Sequence, residues 1–147
     1  DVYKRQYLGI ALKQLITARK VSCTLTLEDK VHDKKESVEL PRFLFVTCMS
    51  HRYEGGGFMF CPPAVDHDGV LDLCSVGNIS KGLVLLALPT AFFGKHYFVK
   101  GINAHTATQM SITASAPLWV HTDGEVTRKS RGFRVECLPG AIRMITP

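Results

Sequence analysis

The sequence contains no Cys-x-x-Cys pair, although it has five cysteines. An odd number of cysteines without paired spacing is not the pattern of a disulfide framework or of a structural zinc site. Each cysteine lies in or beside an apolar run, as small buried hydrophobic residues do. The five are Cys23, Cys48, Cys61, Cys74 and Cys137. We therefore predict free thiols in a reducing, cytoplasmic compartment.

The sequence also lacks a hydrophobic run long enough to cross a bilayer. Its longest apolar stretch, residues 82–93, is interrupted by Pro89 and Thr90, and it is shorter than the ~20 residues that a spanning helix needs. Residues 1–6 show no signal-peptide pattern. With 147 residues, 46% of them apolar, the chain can bury a core without a metal or a disulfide. We expect a single domain, residues 1–147, and because residue 1 is not Met we expect it to be part of a longer protein.

The pattern of apolar residues predicts a mainly β domain with two helices. Residues 21–27 alternate between apolar and polar side chains, as a half-buried strand does. Further strands are predicted at residues 43–49, 58–61, 70–76, 104–115, 118–121, 132–137 and 141–145, with a charged turn or loop at 28–36. Helices are predicted at residues 7–19 and, after an N-cap at Ser80, at 81–93 with an interruption at Pro89. About eight short strands favour an antiparallel β-sandwich or a flattened barrel.

Positive charge exceeds negative charge in this chain. Eighteen Lys and Arg against thirteen Asp and Glu give a formal net charge of +5. Such a balance favours anionic partners, which include phosphates, acidic lipid headgroups and nucleic acid, although a solvated face explains it equally simply.

Three short motifs contain residue types suited to chemistry, and each also has a structural explanation. Gly55-Gly56-Gly57 allows close approach to a phosphate, but a strand pattern follows it instead of a helix, which favours a bulge or bend. Residues 66–72 contain three aspartates and Gly69, which either gather oxygen ligands for Mg²⁺ or form a tight turn. Asp123-Gly124-Glu125 follows an apolar strand, so it is either a hairpin turn or a pair of carboxylates that positions a metal-bound phosphate and a general base.

The order of the motifs is more specific than any one of them. Along the chain they are Gly55-Gly56-Gly57-Phe58, Cys61-Pro62-Pro63-Ala64, Asp68-Gly69-Val70-Leu71-Asp72, Gly94-Lys95-His96, Asp123-Gly124-Glu125 and Leu138-Pro139-Gly140-Ala141. In this order the chain resembles the diacylglycerol kinase and sphingosine kinase family of lipid kinases, in particular its soluble bacterial branch, over residues 7–146. The resemblance implies an antiparallel β-sandwich, the C-terminal domain of a two-domain lipid kinase. The N-terminal nucleotide-binding domain of that family, with its Gly-Gly-Asp-Gly-Thr motif, is not among these residues.

The same resemblance implies roles for particular residues. Glu125 would be the general base that takes the proton from a lipid hydroxyl as it attacks the γ-phosphate of ATP, with Asp123 assisting at the metal. A structural Mg²⁺ would be held by the carboxylate of Asp68 and by the main-chain carbonyls of Val65 and Val70. The implied cofactors are Mg²⁺ and ATP, the latter bound mainly by the N-terminal domain, so residues 1–147 alone are expected to be inactive.

The resemblance also implies partners, and alternatives remain open. We expect a lipid substrate such as diacylglycerol, peripheral contact with an anionic membrane surface, no nucleic acid, and a homodimer of the full-length enzyme. One alternative is a β-sandwich binding module without catalysis. Another is a kinase of a different substrate, either a sphingoid base or a nicotinamide dinucleotide.

Overall fold

The computed structural model describes residues 13, 16–55, 57–123 and 125–142. Six strands are present in this part of the chain: β1 (Val21–Asp29), β2 (Lys34–Met49), β3 (Leu71–Gly77), β4 (Ile102–Ala107), β5 (Gln109–Thr122) and β6 (Glu125–Glu136). The α-helix α1 (Lys81–Ala87) is followed by two 3₁₀ helices, Leu88–Phe93 and His96–Phe98. The helix predicted at residues 7–19 lies almost wholly outside the described residues, of which Lys13, Ile16 and Thr17 are helical.

The strands form one antiparallel sheet that folds back on itself. Its order is β4-β3-β2-β1-β5-β6, yet only Thr108 separates β4 from β5 in the sequence. Because one residue spans only about 3.5 Å, the two strands must meet although three others lie between them in the order. The sheet therefore closes into two layers, which confirms the predicted β-sandwich.

Strand β2 passes from one layer to the other at Phe43. Before this residue β2 pairs with β1, and after it β2 pairs with β3. The register is irregular on both sides of the crossing, between Val21 and Cys23 and between Phe43 and Phe45. Such irregularities bend a strand, and here they allow one 16-residue strand to serve both layers.

Thr108 holds the second crossing in place. Its hydroxyl donates to the carbonyl oxygen of Glu28 at 3.0 Å and accepts from the main-chain N–H of Lys30 at 3.0 Å. Its own carbonyl accepts from the N–H of Cys137 at 2.9 Å. The prediction of one strand over residues 104–115 is therefore wrong, because the chain changes layer at Thr108.

The core consists of two clusters. One lies between the layers and includes Leu25, Leu73 and Met110, none more than 1% exposed. The other lies beneath α1, which turns Val84 and Ala87 inward. The N-cap prediction is confirmed, because the Ser80 hydroxyl accepts from the N–H of Leu83 at 3.2 Å. The α-helix ends before Pro89, as expected of a residue without a main-chain donor.

Other sequence predictions need correction. The turn predicted within residues 28–36 is present but shorter, at residues 30–33, because β1 and β2 extend through the rest and pair their charges across the strands, as Lys35 and Glu28 do at 2.7 Å. Residues 58–61 are not a strand. Phe58 makes a single bridge to Glu54 and stacks on Phe92 at 4.2 Å between ring centroids.

The last part of the chain also differs from the prediction. Residues 118–121 lie in the longer β5 and residues 132–136 in the longer β6, which ends one residue before Cys137. Of the strand predicted at 141–145, Ala141 and Ile142 are not in a strand and the other residues lie outside the described part. All five cysteines are free, as predicted. Among the described residues, no helix is long and apolar enough to span a membrane.

Candidate functional site

Strands β5 and β6 extend beyond the rest of the sheet as a two-stranded ribbon. Strand β1 pairs with β5 only as far as Ala114, whereas β6 pairs with β5 as far as Thr122 and Glu125. The register is irregular where β5 contains Pro117, which has no N–H to donate. Leu118 still packs on the core. Beyond Leu118 the ribbon continues to a tip, where Glu125 lies.

At the tip Thr122 pairs with Glu125, as expected of the hairpin turn predicted there. Asp123 has φ 49°, the left-handed conformation that a type I′ turn requires at its first central position. Both Asp123 and Glu125 are exposed. On the ribbon behind them, the Lys129 Nζ lies 4.4 Å from the ring centroid of Trp119, a cation–π contact between cross-strand neighbours. The ribbon therefore presents two carboxylates to solvent, and the contact between Lys129 and Trp119 stabilises the strands behind them.

The loop that contains Asp68 is an Asx turn leading into β3. The Asp68 Oδ1 accepts from the N–H of Val70 at 3.0 Å, and Gly69 has φ 77°. Asp66 is engaged separately, because its Oδ1 lies 2.8 Å from the Nδ1 of His67, and this hydrogen bond lowers the pKa of Asp66. The structure thus distinguishes the two aspartates, and Asp68 keeps one carboxylate oxygen outside the turn hydrogen bond.

Asp72 is a candidate functional residue to which the family resemblance assigns no role. It lies in β3 between Leu71 and Leu73 and is only 4% exposed. Burial raises its pKa, and the nearby negative charge of Asp68 raises it further. Together with His105 and Tyr97 it lines a cavity of about 160 Å³. An acid between two leucines of a buried strand is the sequence signal for such a residue.

The residues of the Asp68 loop fit a hard cation. A carboxylate and main-chain carbonyls, as predicted for Asp68, Val65 and Val70, are the oxygen ligands that Mg²⁺ takes, with waters completing its octahedron. Because the negative charge of Asp68 raises the pKa of Asp72, a cation beside Asp68 would relieve that repulsion. In the described part of the chain no group of three or more His, Cys, Asp or Glu side chains could hold a metal, so such a site depends on main-chain and water ligands.

The two candidate sites lie at opposite ends of β5. A Cβ placed on Gly69 would lie 3.2 Å from the Cγ of Pro139, and Leu71 pairs with Ala107 beside Thr108, so the Asp68 loop is near the start of β5. Glu125 pairs with Thr122 at the other end of this 14-residue strand. At about 3.3 Å per residue the separation along β5 is roughly 40 Å. The structure does not bring Asp68 and Glu125 into one site.

Comparison with known proteins identifies the domain. The family described as "YegS C-terminal NAD kinase beta sandwich-like domain" matches residues 2–146. The chain belongs to this family. The description of the YegS C-terminal family and the strand pairing of this chain thus agree on a β-sandwich.

Curated relatives of this YegS-type domain carry kinase names. A "Probable lipid kinase YegS-like" of Xanthomonas euvesicatoria pv. vesicatoria is 35% identical over 98 residues, which cover 65% of this chain and 31% of that protein. The "Diacylglycerol kinase" of Mycobacterium tuberculosis is 26% identical over 96 residues, which cover 65% of this chain and 30% of that protein. The matched part is thus less than a third of the length of either relative.

A solved structure shares the fold of the YegS-type domain. A putative diacylglycerol kinase from Bacillus anthracis str. Sterne superposes with a TM-score of 0.61 at 22% identity. The superposition covers 90% of this chain and 44% of that one. At this level of identity the likeness concerns the fold, and it agrees with the two-layer arrangement described above.

Proposed function

We propose that this domain is the C-terminal half of an ATP-dependent lipid kinase that phosphorylates the hydroxyl of diacylglycerol or a similar lipid. Membership of the YegS C-terminal family and the names of the curated relatives support a lipid kinase. The observation that carries the proposal is the position of Glu125, exposed at the tip of the β5–β6 ribbon. A carboxylate held there can reach a substrate bound to another surface.

In the proposed reaction Glu125 acts as the general base. Its carboxylate accepts the proton of the lipid hydroxyl while the hydroxyl oxygen attacks the γ-phosphorus of ATP, and the bond from that phosphorus to the bridging oxygen of ADP breaks. Bound Mg²⁺ would neutralise charge on the transferred phosphoryl group. Asp123, two residues before Glu125, would orient the metal-bound phosphate from the same tip.

The tip needs a second surface for this reaction. Asp123 and Glu125 are both open to solvent, and transfer to a lipid in preference to water requires a site from which water is excluded. We propose that a nucleotide-binding domain, expected from the family resemblance, closes against the ribbon and supplies the site for ATP. The Asp68 loop, about 40 Å away along β5, would hold a structural Mg²⁺ through Asp68, Val65 and Val70.

The test is the activity of a polypeptide that joins this domain to its nucleotide-binding half. Phosphorylation of diacylglycerol in mixed micelles, with a sphingoid base in a parallel arm, identifies the substrate class. We expect Glu125→Gln to lower kcat at least ~10²-fold, as loss of a general base does, with an unchanged melting temperature. Glu36→Gln, which changes an exposed glutamate on β2, is the matched control and should keep its rate. The 147-residue chain alone should show no turnover.

Two results would contradict the proposal. A normally folded Glu125→Gln variant with an unchanged rate would show that Glu125 is only a turn residue. Absence of turnover on every lipid by the joined polypeptide would favour the non-catalytic binding module.

A further inference from the structure

The segment between β3 and β4 has an apolar outer face. Its inner face packs on the core through Val84, Ala87 and Ala91, which are at most 4% exposed. In the same segment Leu86, on α1, and Phe93, at the end of the first 3₁₀ helix, are 74% and 75% exposed. The buried residues explain how the segment is anchored, but nothing in the core requires large apolar side chains on the outside.

A third apolar side chain protrudes from the same segment. Phe98, at the end of the second 3₁₀ helix, is 89% exposed. The turn before it is well fixed, because Lys95 donates its N–H to the carbonyl of Thr90 at 2.9 Å. Gly94 adopts φ 65°, and a Cβ there would lie 2.7 Å from the Cγ of Pro62. The rings are therefore held outward by an ordered backbone.

The charge of the segment has a single sign. Lys81, Lys95 and Lys100 are its ionisable side chains other than His96 and Tyr97, and the fifty residues 73–122 contain no Asp or Glu. Lys95 and Lys100 are exposed on either side of Phe98. Apolar side chains flanked by lysines are the pattern of a surface that lies in the interface of an anionic bilayer.

We propose that the outer face of residues 81–100, here called the docking face, binds an anionic phospholipid bilayer. Leu86, Phe93 and Phe98 would enter the boundary between headgroups and acyl chains, and Lys95 and Lys100 would contact lipid phosphates. The inference rests on the proposed function, since a lipid substrate is presented in a bilayer. Rings that are three-quarters or more exposed protrude instead of lining a groove, and protruding side chains suit a fluid partner better than a shaped protein surface.

The experiment measures binding of the 147-residue chain to sedimented vesicles that contain no diacylglycerol. Vesicles of equal parts phosphatidylglycerol and phosphatidylcholine are compared with pure phosphatidylcholine. We expect preference for the anionic vesicles and an at least ~10-fold weaker partition for Phe93→Ser/Phe98→Ser, because two large apolar side chains are lost. Lys95→Glu/Lys100→Glu should lower binding to anionic vesicles at least ~10-fold, at about fivefold for each lysine removed.

Matched controls change similar side chains outside the docking face. Val31→Ser/Leu138→Ser removes two side chains that are 75% and 69% exposed, and Lys34→Glu/Arg131→Glu reverses two exposed charges. Both controls should bind as the parent does. Equal loss in the controls, or no binding of the parent chain to anionic vesicles, would overturn the proposal.

Two further measurements separate the alternatives. If gel filtration shows a dimer that Phe93→Ser/Phe98→Ser dissociates, the face binds a second copy and the bilayer proposal is wrong. Turnover of a dissolved short-chain diacylglycerol by the joined polypeptide tests the proposed kinase without a bilayer. That turnover should survive Phe93→Ser/Phe98→Ser while vesicle binding is lost, so failure of docking and failure of the kinase proposal give different results.

Discussion

Two histidines are held in positions that disfavour their charged forms. His96 is 2% exposed, and its Nε2 lies 3.2 Å from the carbonyl oxygen of Phe60, so this nitrogen carries the hydrogen and donates. Its Nδ1 is buried without a hydrogen-bond partner in the described part of the chain. Burial lowers the pKa of His96. Burial also lowers the pKa of His105, whose Nε2 lies 3.0 Å from the Oγ of Ser75, although Glu36 opposes the shift.

The domain should therefore lose stability as the pH falls below about 6.5, the pKa of histidine in an unfolded chain. Below that pH the unfolded state binds protons that the folded state does not. The free energy of unfolding then falls by at most about 1.4 kcal/mol per pH unit for each histidine, and by about 2.8 for both. Asp72 acts in the opposite direction at the acid end, because its raised pKa makes the folded state take up a proton first. Asp29 and Asp66 have lowered pKa values. Their contribution to the free energy of unfolding is lost only as the pH falls below about 4.

The assay is urea unfolding followed by far-UV circular dichroism between about pH 7.5 and 5.5, where histidine titration dominates. His96→Gln and His105→Gln should each remove part of the pH dependence, whatever they do to stability itself. His121→Gln, at an exposed side chain on the ribbon, is the control and should leave the dependence unchanged. A parent chain equally stable at both ends of the range, or a double variant that keeps the full dependence, would refute the reasoning.

Two other predictions concern the Asp68 loop and the glycines. Millimolar Mg²⁺ should raise the melting temperature relative to chelator, and Asp68→Ala should abolish this response while Asp66→Ala keeps it; a parent chain indifferent to Mg²⁺ would exclude the site. Gly101→Ala should destabilise the domain by about 1–3 kcal/mol in urea unfolding, because Gly101 has φ 102° and a Cβ there would lie 2.7 Å from the carbonyl oxygen of Gly77. Gly82→Ala, on a helix with open space around it, should stabilise it by about 0.5–1 kcal/mol, and equal effects of the two substitutions would contradict this account.

Local chemistry in the sequence predicted the features that depend on neighbouring residues. The alternation in residues 21–27 correctly places Cys23, Leu25 and Leu27 in the core. Ser80 caps the helix that follows it, and Asp123 takes the left-handed conformation expected in the hairpin turn at the end of the ribbon. In each case the cause is a side-chain period, a cap or a turn conformation, which acts over a few residues.

Features that depend on distant parts of the chain could not be predicted in this way. The break at Thr108 results from hydrogen bonds to Glu28, Lys30 and Cys137, none of them near it in sequence. Residues 28–36 have the composition of a loop, but their charges lie on strands because neighbouring strands pair them. The same holds for the candidate site, because the length of the ribbon that carries Glu125 follows from where β1 stops pairing with β5.

The distance between Asp68 and Glu125 determines what each can do in the proposed kinase. An ion held by Asp68, near the start of β5, is roughly 40 Å along that strand from the tip that carries Glu125. It therefore cannot touch a phosphoryl group in transfer to a lipid at that tip, where charge neutralisation requires direct contact. In the proposed kinase the metal that assists phosphoryl transfer would be bound near Asp123 or by the nucleotide-binding half, and an ion at Asp68 would act only by stabilising the loop that precedes β3. We therefore expect substitution of Asp68 to change the Mg²⁺ dependence of the melting temperature. Substitution of Glu125 is expected to change kcat.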